Sequence, residues 1–126
     1  MNNLKINERR SGEVLILDID GRITLGEEAA HLRKMLKEYA ARGEKRVLLN
    51  MTGVSYIDSS GLGELVSGFT SMKTAGGELK LFNVSDRVHA LMTITKLMTV
   101  FDVFDDEQPA VASFGSDSSA AQGLAG

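Results

Sequence analysis

The chain has 126 residues, of which 43% are hydrophobic and 25% charged, with a formal net charge of −3 and no cysteine. This length suits one domain with a sizeable core and is too short for two. The charge excludes a global basic field for nucleic acid, and the missing cysteines exclude disulfides, thiolate metal sites and cysteine nucleophiles.

Neither a basic-then-apolar leader nor an apolar run of about 20 residues is present, so a cytoplasmic protein without a membrane span is expected. Leu4–Asn7 alternates and predicts a strand, with a turn at Ser11–Gly12. Val14–Ile19 predicts a second strand, paired antiparallel with the first and ended by Asp20–Gly21. From Gly26, the residues Ala29, Leu32, Leu36, Tyr39 and Ala40 mark an amphipathic helix that Gly43 stops. Arg46–Met51 is a short apolar run and reads as a strand buried on both faces. Leu62, Leu65, Val66, Phe69 and Met72 form an apolar stripe, which predicts a helix over about residues 61–75.

Leu79–Phe82 predicts a further short strand. Ser85 is placed to cap a helix whose apolar face is Val88, Leu91, Met92 and Thr95. Val100–Phe104 predicts a last strand at a sheet edge, and Pro109 suits the first turn of a final short helix docked through Ala110, Val111 and Phe114. The Ser/Ala/Gly-rich stretch 115–126 has no periodicity, so a disordered tail is expected after a domain spanning residues 1–114. An opening hairpin followed by alternating helix and strand implies an α/β fold: a mixed, mainly parallel sheet of four to five strands, with helices mainly on one face. Right-handed crossovers would gather the loops after the parallel strands along one edge, where open α/β sheets bind ligands.

Asp58, Ser59 and Ser60 fall at such an edge, where a strand turns into a helix. On residue type alone the two serines read as N-caps, because their oxygens accept orphan backbone N–H groups. Asp58 reads equally as a cap and as a group that orients Ser59. Gly61 and Gly63 permit a tight loop and a close approach by another molecule. A phosphate at a helix N-terminus would be tolerated by the fold itself. No base for a serine nucleophile stands out, since His31 and His89 lie in no catalytic spacing, and Ser60 lacks the Gly-x-Ser-x-Gly elbow. Asp18, Asp20, Asp102, Asp105 and Asp106 show no metal-ligand spacing. Neither a dinucleotide fingerprint nor a phosphate loop is present, so no cofactor and no catalysis are expected.

Ile57-Asp-Ser-Ser-Gly-Leu-Gly63 resembles the signature of STAS domains, and specifically of bacterial anti-sigma factor antagonists. Ile19–Thr24 resembles that family's strand entry into Gly-x-Ile/Leu, Gly76–Leu81 its fourth core strand, and Leu91–Leu97 its third helix. The likeness spans residues 4 to 114. It implies that the phosphoacceptor is Ser59, the hydroxyl directly after the Asp, with Ser60 the less favoured acceptor and the local cap. It further implies a partner surface built from Asp58, Ser59, Ser60, Gly61, Leu62 and Gly63, flanked by Gly21 and Ile23. The implied function is a switch: the unphosphorylated form binds an anti-sigma factor with serine-kinase activity and so releases a sigma factor. Phosphorylation ejects the antagonist and a serine phosphatase resets it, without direct nucleic-acid contact. Two positions depart from the family, Gly26 before the first helix and Lys96 where many members have Gly. Two other classes stay open: a non-phosphorylated STAS adaptor subunit of a signalling or lipid-transport complex, and a small-ligand or nucleotide-binding module.

Overall fold

A computed structural model describes residues 4–120. Five strands form one sheet in the order β1(Lys5–Ser11), β2(Val14–Ile23), β3(Arg46–Ile57), β4(Glu78–Phe82), β5(Val103–Phe104). β1 runs antiparallel to β2, and every other neighbour pair is parallel. The expected mixed, mainly parallel sheet is therefore present.

Each parallel crossover steps to the next strand in the same direction. With right-handed connections, that rule sends all crossover helices to one face. α1(Glu27–Ala41), α2(Ser59–Thr74) and α3(Asp86–Ile94) do pack there, against Leu15, Leu17, Val47, Leu49, Leu79 and Leu81. The period of two turns Val14, Ile16, Leu48 and Phe82 to the opposite face. They are covered by α4(Glu107–Ala120) through Ala110 and Phe114.

Three buried or bridging polar groups tie these layers. Arg9 forks between Asp18, at 2.6 and 3.0 Å, and Glu107, at 3.1 and 2.6 Å, and so joins β1 and β2 to the start of α4. The Arg9 hydrogen bond, opposed by burial and helped by Asn50, holds the Asp18 carboxyl below its usual range. Lys80 is buried, donates to Ser113 Oγ at 3.0 Å and lies 4.7 Å from the centre of the Phe114 ring. On the other face the buried Tyr39 hydroxyl donates to Glu8 at 2.7 Å. The close approach of α1 and α2 requires Gly68, since a Cβ there would collide with the Leu36 side chain.

Several boundaries differ from expectation. β2 runs past Asp20–Gly21 to Ile23, because register shifts absorb the Gly-Arg step as irregularities of the ladder and do not end it. β3 continues through Thr52–Gly53 to Ile57, six residues beyond the apolar run. The last strand is only Val103–Phe104, and Leu97–Thr99 forms a 3₁₀ turn before it. Ser85 caps α3 as expected, with its Oγ accepting from Val88 N at 3.3 Å. Thr95, placed on the apolar face by spacing, is instead the exposed C-cap. α4 continues to Ala120, so the expected tail boundary at 115 falls inside it. Residues 121–126 of that tail lie outside the described residues.

Lys96 follows α3 with φ 64°, a left-handed conformation that costs an L-residue about 1–2 kcal/mol. The family resemblance puts Gly at this position, and the geometry supplies the reason. We predict that Lys96→Gly raises the unfolding free energy by about 0.5–1 kcal/mol, the αL relief less the extra chain entropy of glycine. Urea denaturation of the two proteins checks this; a destabilised variant would show that the Lys96 side chain contributes more than the backbone loses.

Candidate functional site

The parallel strands end along one edge of the sheet, and there the chain turns from β3 into α2. Ile57 is buried, and the Asp58 N–H donates to the Ile23 carbonyl at 3.2 Å, which ties the end of β3 to the end of β2. Asp58 is extended, with φ −99° and ψ −177°, and is the N-cap of α2. Its Oδ1 accepts from Gly61 N at 2.9 Å, while its Oδ2 accepts from Leu25 N at 2.9 Å. One carboxylate thereby fixes both the helix start and the loop between β2 and α1. Burial alone would push its pKa up. The backbone N–H groups of Gly61, Leu25 and Ser60 outweigh that and hold the carboxyl below the usual range.

Ser59 is the first residue of α2, exposed, and its hydroxyl forms no hydrogen bond among the described residues. Ser60 is half-buried in the same turn. The cap expected at Ser60 is thus made by Asp58, whose longer reach serves two loops at once. Gly61, Leu62 and Ile23 were expected at the partner surface and are instead buried beneath it. They shape the loop from below. A Cβ on Gly61 would strike the Ile23 carbonyl oxygen and come within 2.7 Å of Ile57 Cγ1. Gly63 is exposed with open space above it, and Gly21 is half-buried at φ 125°.

The sequence reading missed Leu25, an exposed leucine (76%) pinned beside Ser59 by the Asp58 hydrogen bond. Only the following Gly26 in the sequence marks that segment as a turn. Of the apolar residues preceding the motif, Val54 and Ile57 are buried; Tyr56 is half-buried, with the Arg22 and Arg87 guanidiniums 5.3 and 6.0 Å from its ring centre. At this edge Ser59, Gly63 and Leu25 are exposed, while Gly61, Leu62 and Ile23 lie buried.

This geometry has a definite chemical meaning. Both Asp58 oxygens are occupied by backbone donors, so the carboxylate is not poised to take the Ser59 proton. His31 and His89 lie on α1 and α3. No group of acids and histidines able to hold a metal occurs among the described residues. The loop leaves the Ser59 hydroxyl exposed at the first position of α2. No helix of the described residues is long and apolar enough to cross a membrane.

Comparison with known proteins bears on the family and the fold. Residues 5–110 match the STAS domain family model. An anti-sigma-B factor antagonist of Bacillus subtilis is 35% identical over 102 residues, which are 80% of this chain and 91% of that protein. SpoIIAA, an anti-sigma factor antagonist, shares the fold in its unphosphorylated form, with a TM-score of 0.64 at 16% identity over 90% of this chain and 97% of that one. SpoIIAA of Bacillus in its phosphorylated form gives a TM-score of 0.67 at 16% identity, covering 88% and 98%.

Two substitutions probe how the loop is held. Gly61→Ala should destabilise the domain by about 1–3 kcal/mol through overpacking against Ile23, read from the urea midpoint. Asp58 has a depressed folded pKa, so its stabilisation is present above the unfolded carboxylate pKa and is lost as pH falls through the folded value. Asp58→Asn should accordingly flatten the decline of stability below about pH 4. Denaturant titrations between pH 2 and 6 test this (about the span of carboxylate titration); an unchanged acid slope would show that Asp58 is not linked to folding.

Proposed function

The chain belongs to the STAS domain family, and we propose that it acts there as an anti-sigma factor antagonist switched by phosphorylation of Ser59. Antagonists of this family are regulatory binding proteins, not enzymes. The observation that carries the reading is the Ser59 hydroxyl: exposed, unengaged among the described residues, and placed at the first position of α2, where Asp58 caps the helix. In this reading the unphosphorylated surface around Ser59, Gly63 and Leu25 binds an anti-sigma factor that is also a serine kinase, and a sigma factor is released. The kinase then modifies Ser59 and a serine phosphatase removes the group, all within the cytoplasm.

The switch follows from charge. A phosphate adds about −1.5 to −2 charges at neutral pH. Within the isolated domain the amino end of α2 favours that charge, so the modified protein stays folded. At an interface the same charge beside Asp58 must be desolvated without a partner, which is costly. Phosphorylation thus acts on binding and not on folding. Asp58 itself stays inward on its backbone donors, so the partner meets Ser59 first.

Ser59→Ala should fold normally, with stability changed by no more than about 0.5 kcal/mol, because Ser59 is not the cap. It should keep partner binding and lose phosphorylation. Ser59→Asp should remain folded and bind about tenfold or more weakly, equivalent to ~1.4 kcal/mol. Ser60→Ala should still be labelled. Incubation with the serine kinases of the host, followed by mass spectrometry and binding titrations, reads all three. Labelling that survives in Ser59→Ala and vanishes in Ser60→Ala would move the acceptor to Ser60. An absence of labelling by any host kinase would favour the adaptor reading.

A further inference from the structure

Five of the seven arginines in the chain form ion pairs with carboxylates, at Arg9, Arg10, Arg33, Arg42 and Arg46. The two that form none among the described residues, Arg22 and Arg87, both address the ring of Tyr56. They come from different elements: Arg22 from β2, opposite Tyr56 in the parallel register, and Arg87 from the first turn of α3. Both are exposed, while Tyr56 is half-buried. The nearby acids do not neutralise them. Asp58 is engaged by Gly61 and Leu25, the Asp20 carboxylate lies over Gly53, and Asp86 pairs with neither arginine.

This placement runs against local electrostatics. A cation in the first turn of a helix faces the positive end of its dipole, and Arg87 stands there. Two uncompensated guanidiniums on one aromatic support also repel each other. Both side chains are solvent-exposed, in a chain whose net charge is −3. Tyr56 is three residues before Ser59, about 10 Å at the rise of an extended chain, so the platform adjoins the phosphoacceptor.

We propose that Arg22, Tyr56 and Arg87 form a docking platform for an acidic segment of the partner protein, read by guanidinium–carboxylate pairing next to Ser59. The proposal rests on the antagonist reading for the identity of the partner, but the recognition chemistry belongs to this surface alone. Guanidinium forks match carboxylates in a bidentate geometry, and stacking on an aromatic ring holds the forks in place before the partner arrives. Such charges chiefly raise the association rate and set specificity. The platform would steer the partner so that Ser59 enters its active site.

The direct test uses the isolated chain with a hexaglutamate peptide, with hexaglutamine and inorganic phosphate as controls, followed by NMR of the Tyr56 ring and the arginine side-chain N–H groups. Hexaglutamate should shift these signals saturably, hexaglutamine should not, and added salt should weaken the effect. R22Q/R87Q should reduce affinity for hexaglutamate by about tenfold while leaving circular dichroism unchanged. Equal response to hexaglutamine, an unaffected double variant, or a phosphate response as strong as that of the peptide would overturn the proposal. So would a double variant that loses stability but not peptide binding, since the arginines would then only shield the ring. In the kinase assay, R22Q/R87Q should raise the KM for the antagonist with little change in kcat. A failure of any kinase to label Ser59 would count against the switch and leave the peptide result standing.

Discussion

The architecture depends on one handedness constraint applied three times. Each crossover from β2 to β5 is parallel and moves one strand further in the same direction, so right-handed connections stack α1, α2 and α3 on a single face. Two consequences follow. The carboxyl ends of β2, β3 and β4 share one edge, which gathers Ile23, Asp58 and the amino end of α3 into a single surface. The opposite face receives no crossover helix, and Val14, Ile16, Leu48 and Phe82 would meet water there if α4 did not cover them.

On the shared edge, the Asp58 carboxylate converts proximity into rigidity. A cap normally satisfies one helix start. Here the second oxygen is given to a different loop, at Leu25. That arrangement leaves Ser59 exposed on a backbone with little freedom, a condition that lowers the entropy cost of docking to another protein. The floor beneath it is equally constrained, because Gly61 admits no side chain against Ile23. An adaptable surface would have been built from longer, more mobile residues; this one is preorganised.

How far the sequence disclosed this depends on whether a signal was local. The apolar run Val47–Leu49 and the stripe from Leu62 to Met72 reported the central strand and α2 because burial periodicity is written directly in the chain. Ser85 likewise acts on backbone only three residues away, and Pro109 lies in the first turn of α4. The errors came where tertiary pairing overrode local chemistry. Asp20–Gly21 and Thr52–Gly53 are turn-like pairs, yet parallel pairing between β2 and β3 carries both strands through them. The cap fell to Asp58 and not Ser60 because the deciding second donor, the Leu25 N–H, is 33 residues away. The convergence of Arg22 and Arg87 on Tyr56 was likewise invisible, being a product of sheet register and of where α3 begins.

The contact between Gly68 and Leu36 bears on how this sequence is free to drift. The gap between α1 and α2 is one fixed volume filled from both sides, wholly by Leu36 and not at all by Gly68. What is constrained is the sum of the two side-chain sizes and not either residue singly. A larger residue at 68 forces the Leu36 side chain to shift or to shrink, whereas a smaller residue at 36 beside Gly68 leaves a cavity. A change in size at either position is therefore felt at the other, across two helices that the chain separates by a strand.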